Sequence, residues 1–116
     1  MYIQSRPVIS ADRIYKRQKE MINIEIAPSI KHKLKTKHNV EIEEVIECFA
    51  NVTQGFVQDT REEHKTNPPT HYFIEQTDNA RLLCIAFIHT DETIVLKTAF
   101  EPSQKRIQTY KNAVGK

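Results

Sequence analysis

A chain of 116 residues that are 39% hydrophobic holds enough apolar side chains for one compact core and too few for two ordinary domains. Charged residues make up 28% of the chain, and its longest apolar run, residues 82–88, is far shorter than the roughly 20 residues of a bilayer-spanning helix. These features exclude a membrane-embedded protein.

The first 20 residues differ from the rest in charge. The whole chain has a net charge of +2, of which residues 1–20 contribute five basic and two acidic side chains, so residues 21–116 carry a net charge of about −1. Residues 1–20 contain no apolar stretch of the ~7 or more residues that a secretory signal needs, which favours a cytoplasmic protein. Met21 could itself be a start codon, so we treat residues 1–20 as an N-terminal extension and residues 21–116 as a single domain.

Neither the cysteines nor the histidines are spaced as metal ligands. Cys48 and Cys84 form no C-x-x-C pair, and we expect both to be reduced and buried. The five histidines show no short, regular spacing. A chain with two glycines also has no glycine-rich phosphate loop. The sequence therefore predicts neither a metal nor another cofactor.

Three elements are predicted in the N-terminal half. Apolar and polar residues alternate over residues 21–26, which predicts a short half-buried strand. Residues 29–38 hold four lysines around Ile30 and Leu34, and the i, i+4 spacing of these two predicts a short basic helix with a narrow apolar stripe. Residues 41–51 place apolar side chains on one helical face and glutamates on the other, which predicts an amphipathic helix.

The C-terminal half reads as one loop, three strands and a helix. Residues 51–70 lack any periodicity, and so long a loop in a small domain is either mobile or functional. Alternation, β-branched residues and short polar turns predict strands at residues 71–77, 82–88 and 94–100. The middle strand is apolar on both faces, so it belongs between the other two.

The predicted fold class is α+β, with a small, mostly antiparallel sheet. The sheet consists of a three-stranded C-terminal meander plus one N-terminal strand, and two helices pack on one of its faces. A short C-terminal helix follows Pro102, with Ile107, Tyr110 and Val114 placed to face the sheet.

The turn lengths predict a register in which Lys97 lies opposite Cys84 and Val95 lies opposite Ala86, with Ile74 and Tyr72 flanking these pairs on the first strand of the meander. One face would then be a shallow surface with a lysine in it. The other would be the core face, bearing Phe73, Leu83, Ile85, Phe87, Ile94, Leu96 and Phe100. Lys97 is either part of a functional surface or an exposed lysine that guards the sheet against edge pairing.

Several local motifs agree with this order of elements. They are Lys37-His38-Asn39-Val40 at the end of the basic helix, the acidic helix after it, an acidic loop ending at His64, Arg81-Leu82-Leu83, Thr98-Ala99, and the last basic helix with Tyr110. Over about residues 31–112 the chain thereby resembles the BrnT-like branch of the RelE/ParE superfamily of small bacterial toxins. It departs from that pattern at Phe100-Glu101-Pro102-Ser103, where the toxins have an arginine-rich stretch.

A second likeness rests on the long loop. Asp59-Thr60-Arg61-Glu62-Glu63-His64, followed by Pro68-Pro69-Thr70, is similar to a set of short bacterial proteins that carry the label ADP-ribosyl-(dinitrogen reductase) hydrolase.

The superfamily resemblance implies the toxin of a bacterial toxin–antitoxin pair, an endoribonuclease that cleaves mRNA, free or on the ribosome, by attack of a ribose 2′-OH. Its partner would be a cognate antitoxin. In this interpretation Lys97 and Arg61 bind the scissile phosphate, and His64 or Glu63 is the base. The residues that would position the RNA are Arg81, Lys105, Arg106 and Tyr110.

The alternative function is a non-catalytic protein-interaction domain on the same fold. The open sheet face or the basic extension would then bind a protein partner. The near-neutral domain and the missing arginines favour this alternative, whereas the loop with Arg61, Glu63 and His64 favours the enzyme. The sequence leaves the oligomeric state open.

Overall fold

A computed structural model describes residues 23–60, 66, 68–90 and 93–115. In these residues the chain forms a five-stranded sheet and three helices, of which the first continues into a π-helical turn. The elements are β1 (Asn23–Glu25), α1 (Pro28–Lys33) with its π turn (Leu34–His38), α2 (Ile42–Asn51), β2 (Val57–Gln58), β3 (Thr70–Gln76), β4 (Leu82–His89), β5 (Thr93–Phe100) and α3 (Gln104–Val114). The predicted extension, residues 1–20, lies outside the described residues.

The sheet is mixed and mostly antiparallel, in the order β1-β5-β4-β3-β2. Strand β1 runs parallel to β5, and the other neighbouring pairs are antiparallel. The predicted α+β class and the N-terminal strand are confirmed. Strand β2 was not predicted, because its two residues, Val57 and Gln58, are too few to show an alternating pattern.

Local capping explains where the first two helices stop and start. Asn39 adopts the left-handed conformation, with φ of 54°, and ends the π turn. Glu41 is the N-cap of α2: its carboxylate accepts a hydrogen bond from the backbone N–H of Glu44, while its own N–H donates to Oε1 of Glu44 at 2.9 Å. Helix α2 therefore begins at Ile42, and the helix predicted over residues 41–51 is confirmed.

The hydrophobic core lies between α2 and one face of the sheet. The ring of Phe49 packs edge-on against Phe73 and Phe87, with centroid distances of 4.9 Å and 5.4 Å. The largest fully buried side chains in the described part of the chain are Phe73, Phe87, Leu34, Leu83, Ile85, Leu96, Val45, Cys48 and Cys84. The predicted packing of this helix on the sheet is confirmed.

The predicted register between β4 and β5 is wrong. Cys84 lies opposite Phe100, not Lys97, and Ala86 lies opposite Thr98, not Val95, which pairs with Ile88. Most of the difference arises at the turn, because β4 and β5 pair as far as His89 and Ile94, which shifts Val95 by two residues, from Ala86 to Ile88. A β-bulge between Ala86 and Phe87 adds one extra residue on β5, so that Ala86 pairs with Thr98.

The same bulge changes which residues of β5 reach the core. Beyond it, Ala99 is fully buried and Phe100 only half-buried, so Ala99 takes the core position predicted for Phe100. The register predicted for β3 is confirmed, since Ile74 pairs with Cys84 and Tyr72 with Ala86.

Candidate functional site

Lys97 is the extra residue of the β-bulge on β5. Its neighbours Leu96 and Thr98 pair with Phe87 and Ala86, which are consecutive on β4, so Lys97 has no partner residue of its own. Its side chain is exposed, whereas Leu96 is fully buried. Bulges next to active sites re-aim a side chain out of the regular alternation, and this one presents a cation beside the sheet.

A row of three paired residues connects this bulge to α3. Thr98 on β5 lies opposite Ala86 on β4, which lies opposite Tyr72 on β3. Two strand spacings separate the ends of the row, a distance of about 10 Å. The guanidinium carbon of Arg106 in α3 lies 4.7 Å from the centre of the Tyr72 ring. Lys97 and Arg106 thus stand near opposite ends of one row, and we call this row with its two cations the Lys97–Arg106 surface.

Stacking on Tyr72 limits the motion of the Arg106 side chain. A guanidinium over an aromatic ring is held by cation–π attraction, and the N–H groups at its edge can still donate to a phosphate. Within the described residues no carboxylate forms an ion pair with Arg106 or Lys97. Both cations are visible in the sequence, but only the fold shows that they stand near opposite ends of one row of paired residues.

Tyr110 holds α3 against the sheet. Its ring is buried, lies 5.9 Å from the ring of Tyr72, and its hydroxyl donates to the carbonyl oxygen of Gly55 at 2.7 Å. Burial, and secondarily the charge of Glu75, raise the pKa of Tyr110 above its ordinary value. Because the ring packs within the protein, it presents no exposed face to a nucleotide base.

Arg81 is engaged by other parts of the chain. Its guanidinium donates to the carboxylates of Glu44 and Glu101, both at 2.8 Å, and to the carbonyl oxygen of Asn39 at 2.9 Å. The hydrogen bond to Glu101, together with a second to Glu44, raises the pKa of Arg81, so the group is permanently charged. The structure therefore places Arg81 where β4 begins, joined to the residues that lie between the π turn and α2.

The remaining predicted site residues fall into two groups. Lys105 is exposed in the first turn of α3, next to Arg106. Arg61, Glu63 and His64, predicted to bind the phosphate and act as the base, lie outside the described residues.

Both cysteines, Cys48 and Cys84, are buried. Cys48 lies in α2 and donates a hydrogen bond to the carbonyl oxygen of Glu75 at 3.4 Å. Burial in the core, and secondarily the charge of Glu75, raise the pKa of Cys48, so this thiol stays protonated and unreactive. No group of three or more histidine, cysteine, aspartate or glutamate side chains placed to hold a metal occurs among the described residues.

No protein-family model matches this chain, and no curated protein sequence matches it. Within residues 23–60 and 68–115, as far as they are described, no helix is long and apolar enough to cross a bilayer.

Proposed function

We propose that this chain is a RelE-like endoribonuclease of the BrnT-like branch and acts as the toxin of a bacterial toxin–antitoxin pair. One observation carries the proposal: the bulge on β5 leaves Lys97 exposed and unpaired, next to the row of paired residues whose far end, Tyr72, carries the stacked guanidinium of Arg106. These two cations flank a row about 10 Å long across the sheet, which suits a phosphodiester backbone that crosses the strands.

The proposed reaction is an internal transfer at phosphorus. A base removes the proton of a ribose 2′-OH, and the oxygen attacks the adjacent phosphate. The bond to the 5′ oxygen of the next nucleotide breaks, that oxygen takes a proton, and a 2′,3′-cyclic phosphate remains. Lys97 neutralises the charge that develops on the phosphate oxygens, Arg106 and Lys105 hold the flanking backbone, and His64 or Glu63 is the base. Arg61 would assist Lys97 at the phosphate.

Lys97 provides the first test. We expect the wild-type protein, expressed from a tight inducible promoter without an antitoxin, to arrest bacterial growth, and Lys97→Ala to restore it. An exposed strand lysine contributes little to stability, so the variant should keep the wild-type unfolding midpoint. Lys111→Ala, which removes an exposed lysine from α3, is the matched control and should remain toxic. Healthy growth at high wild-type expression would contradict the proposal.

A second test looks at the chemistry directly. Incubation of purified protein with mRNA, with and without ribosomes, should give fragments that end in a 2′,3′-cyclic phosphate. His64→Ala should flatten the dependence of the cleavage rate on pH between about 5 and 8, where a histidine base titrates.

A protein-interaction domain is the second candidate, and Phe56 favours it. This side chain is 47% exposed, yet its ring rests on Phe73 and Phe87 at 5.3 Å and 5.0 Å. A rigid, half-exposed aromatic ring suits an anchor residue of a protein interface. This candidate predicts normal growth on expression, no RNA cleavage, and a partner whose binding is lost in Phe56→Ser while Lys97→Ala binds normally.

A further inference from the structure

The helix formed by α1 and its π turn carries a high density of positive charge. Lys31, Lys33, Lys35 and Lys37 are all exposed, and so is His32. The eleven residues from Pro28 to His38 include no aspartate or glutamate. Residues 21–116 have a net charge of about −1 with these four lysines included, 12 basic against 13 acidic side chains, so the rest of the domain is net acidic and this positive surface is local.

The helix buries its apolar side and exposes its lysines on both flanks. Leu34 is fully buried, and Ile30, one turn earlier, packs against the core. Lys31 and Lys35 lie one turn apart on one flank, about 6 Å along the axis. Lys33 and Lys37 lie similarly on the other flank, so two pairs of ammonium groups can reach separate phosphates.

The acidic side chains that follow the helix, Glu41 and Glu44, are engaged elsewhere. The carboxylate of Glu41 caps α2, and that of Glu44 accepts hydrogen bonds from the backbone of Glu41 and from Arg81. In the described part of the chain no carboxylate forms an ion pair with any of the four lysines.

The chemistry of this surface matches a nucleic-acid backbone better than a protein or a membrane. Protein interfaces are depleted in lysine and need apolar or aromatic anchors, which the exposed residues of this helix lack. A helix that lies on a membrane turns its apolar face to the lipid, whereas Ile30 and Leu34 face the core. Lysine ammonium groups contact phosphates as point charges and carry no sequence information.

We propose that Lys31, Lys33, Lys35 and Lys37 form a binding surface for the phosphodiester backbone of a nucleic acid, without sequence preference. This proposal does not depend on the ribonuclease activity, because it uses only the charge and exposure of the helix. If the protein is a ribonuclease, this surface holds the RNA outside the reacting nucleotides.

The test is the salt dependence of binding by the full-length chain. Fluorescence anisotropy would measure the affinity for a labelled single-stranded DNA of mixed sequence and for the same sequence as 2′-O-methyl RNA, neither of which offers a free 2′-OH for cleavage. We expect Lys31→Ala with Lys35→Ala, and Lys33→Ala with Lys37→Ala, each to weaken binding about tenfold at low salt. Each pair should also reduce the slope of log affinity against log salt by about 1.4, the value for two contacts to a single strand.

A charge-matched control separates a local surface from a general effect of net charge. Gln54→Glu with Gln58→Glu also lowers the net charge by two, at exposed positions in and before β2, whereas the basic helix contacts β5 near the other edge of the sheet. We expect this control to change the affinity less than about twofold at 0.15 M salt, where screening confines charge effects to nearby groups.

Three results would overturn the proposal. The first is an equal loss of affinity in the control and the lysine variants, and the second is unchanged affinity in the lysine variants. The third is a loss confined to the RNA analogue, since phosphates are common to both probes. Thermal unfolding would verify that all variants fold. Because neither probe can be cleaved, failure of cleavage and failure of this proposal are distinguishable.

Discussion

Arg81 shows how one side chain can join segments that are far apart in sequence. It stands at the start of β4 and bonds to Asn39, 42 positions earlier, to Glu44 at the start of α2, and to Glu101 after β5. In the ion pair with Glu44, the side chains of both residues are about three-quarters buried. A guanidinium fork that meets two carboxylates and a backbone carbonyl keeps α2 in place against the sheet.

We expect Arg81→Ala to lower the free energy of unfolding by about 2 kcal/mol, because it leaves Glu44 and the Asn39 carbonyl without this donor. Arg81→Lys should recover only part of the loss, since an ammonium group cannot make the same fork. Urea unfolding measures the free energy of unfolding of both variants. Lys97→Ala, which removes an exposed cation, is the control and should stay within about 0.5 kcal/mol of wild type. If Arg81→Ala instead weakened RNA binding and left the stability unchanged, Arg81 would be an RNA contact.

Ala80 provides a second prediction at the residue scale. It ends the turn between β3 and β4 with φ of 67°, in the left-handed region where a Cβ atom is unfavourable. A three-residue hairpin loop normally has glycine at this position. Ala80→Gly should raise the free energy of unfolding by about 0.5–1 kcal/mol, measured as a higher thermal midpoint. As a control, Ala113→Gly in the exposed part of α3 should lower the free energy of unfolding by a similar amount. A lower free energy of unfolding in both variants would show that the turn is unstrained.

At the scale of the elements, the sequence predicts whatever a repeating pattern encodes. Helix α2 was predicted because its apolar residues recur with the helical period, and β4 because it is a long apolar run. The bulge at Lys97 leaves no such signal: Ile94, Leu96 and Ala99 are buried, and the step from two residues to three between them appears only when β5 pairs with β4. The hydrogen bonds of Arg81 and the row from Tyr72 to Thr98 could not be predicted, because they join residues that only the tertiary fold brings together.

The contact of α3 with the sheet should depend on pH in the alkaline range. The folded-state pKa of Tyr110 is raised, while the unfolded chain titrates near 10. The resulting stabilisation is fully present below about pH 10 and is lost as the pH rises through the folded pKa. Tyr110→Phe should be less stable than wild type by about 1 kcal/mol at pH 8, because the hydrogen bond to Gly55 is absent.

The stability difference between these two proteins should therefore shrink between pH 8 and pH 11, as wild type alone loses the contribution of this hydroxyl. Urea unfolding at several pH values measures this difference. The contributions of titratable groups that are present in both proteins cancel in the comparison. A difference that stays constant over this range would mean that the hydroxyl ionises equally easily in the folded and unfolded states.

At the scale of the whole molecule, the described residues from Asn23 onward form a sheet, three helices and a core among themselves. Strand β1 closes one edge of the sheet, and it does so with only three residues, paired in parallel to the first half of β5. The segment contributes mainly through two buried side chains, Ile24 within β1 and Ile26 directly after it, which are 4% and 9% exposed. The boundary between dispensable and essential sequence should therefore lie just before β1.

Deletion of residues 1–20 should leave the thermal unfolding midpoint within about 2 °C of wild type, although the net charge changes from +2 to about −1. Deletion of residues 1–26 is the contrasting variant: it removes both isoleucines and should cost about 4 kcal/mol or more, at about 2 kcal/mol for each buried side chain. The unfolding transition of the shorter deletion should also keep its steepness, because the same apolar surface is exposed on unfolding. A broad or non-cooperative transition after the loss of residues 1–20 would place part of that segment within the folded domain, whereas equal stability of the two truncated proteins would show that β1 contributes nothing to the core.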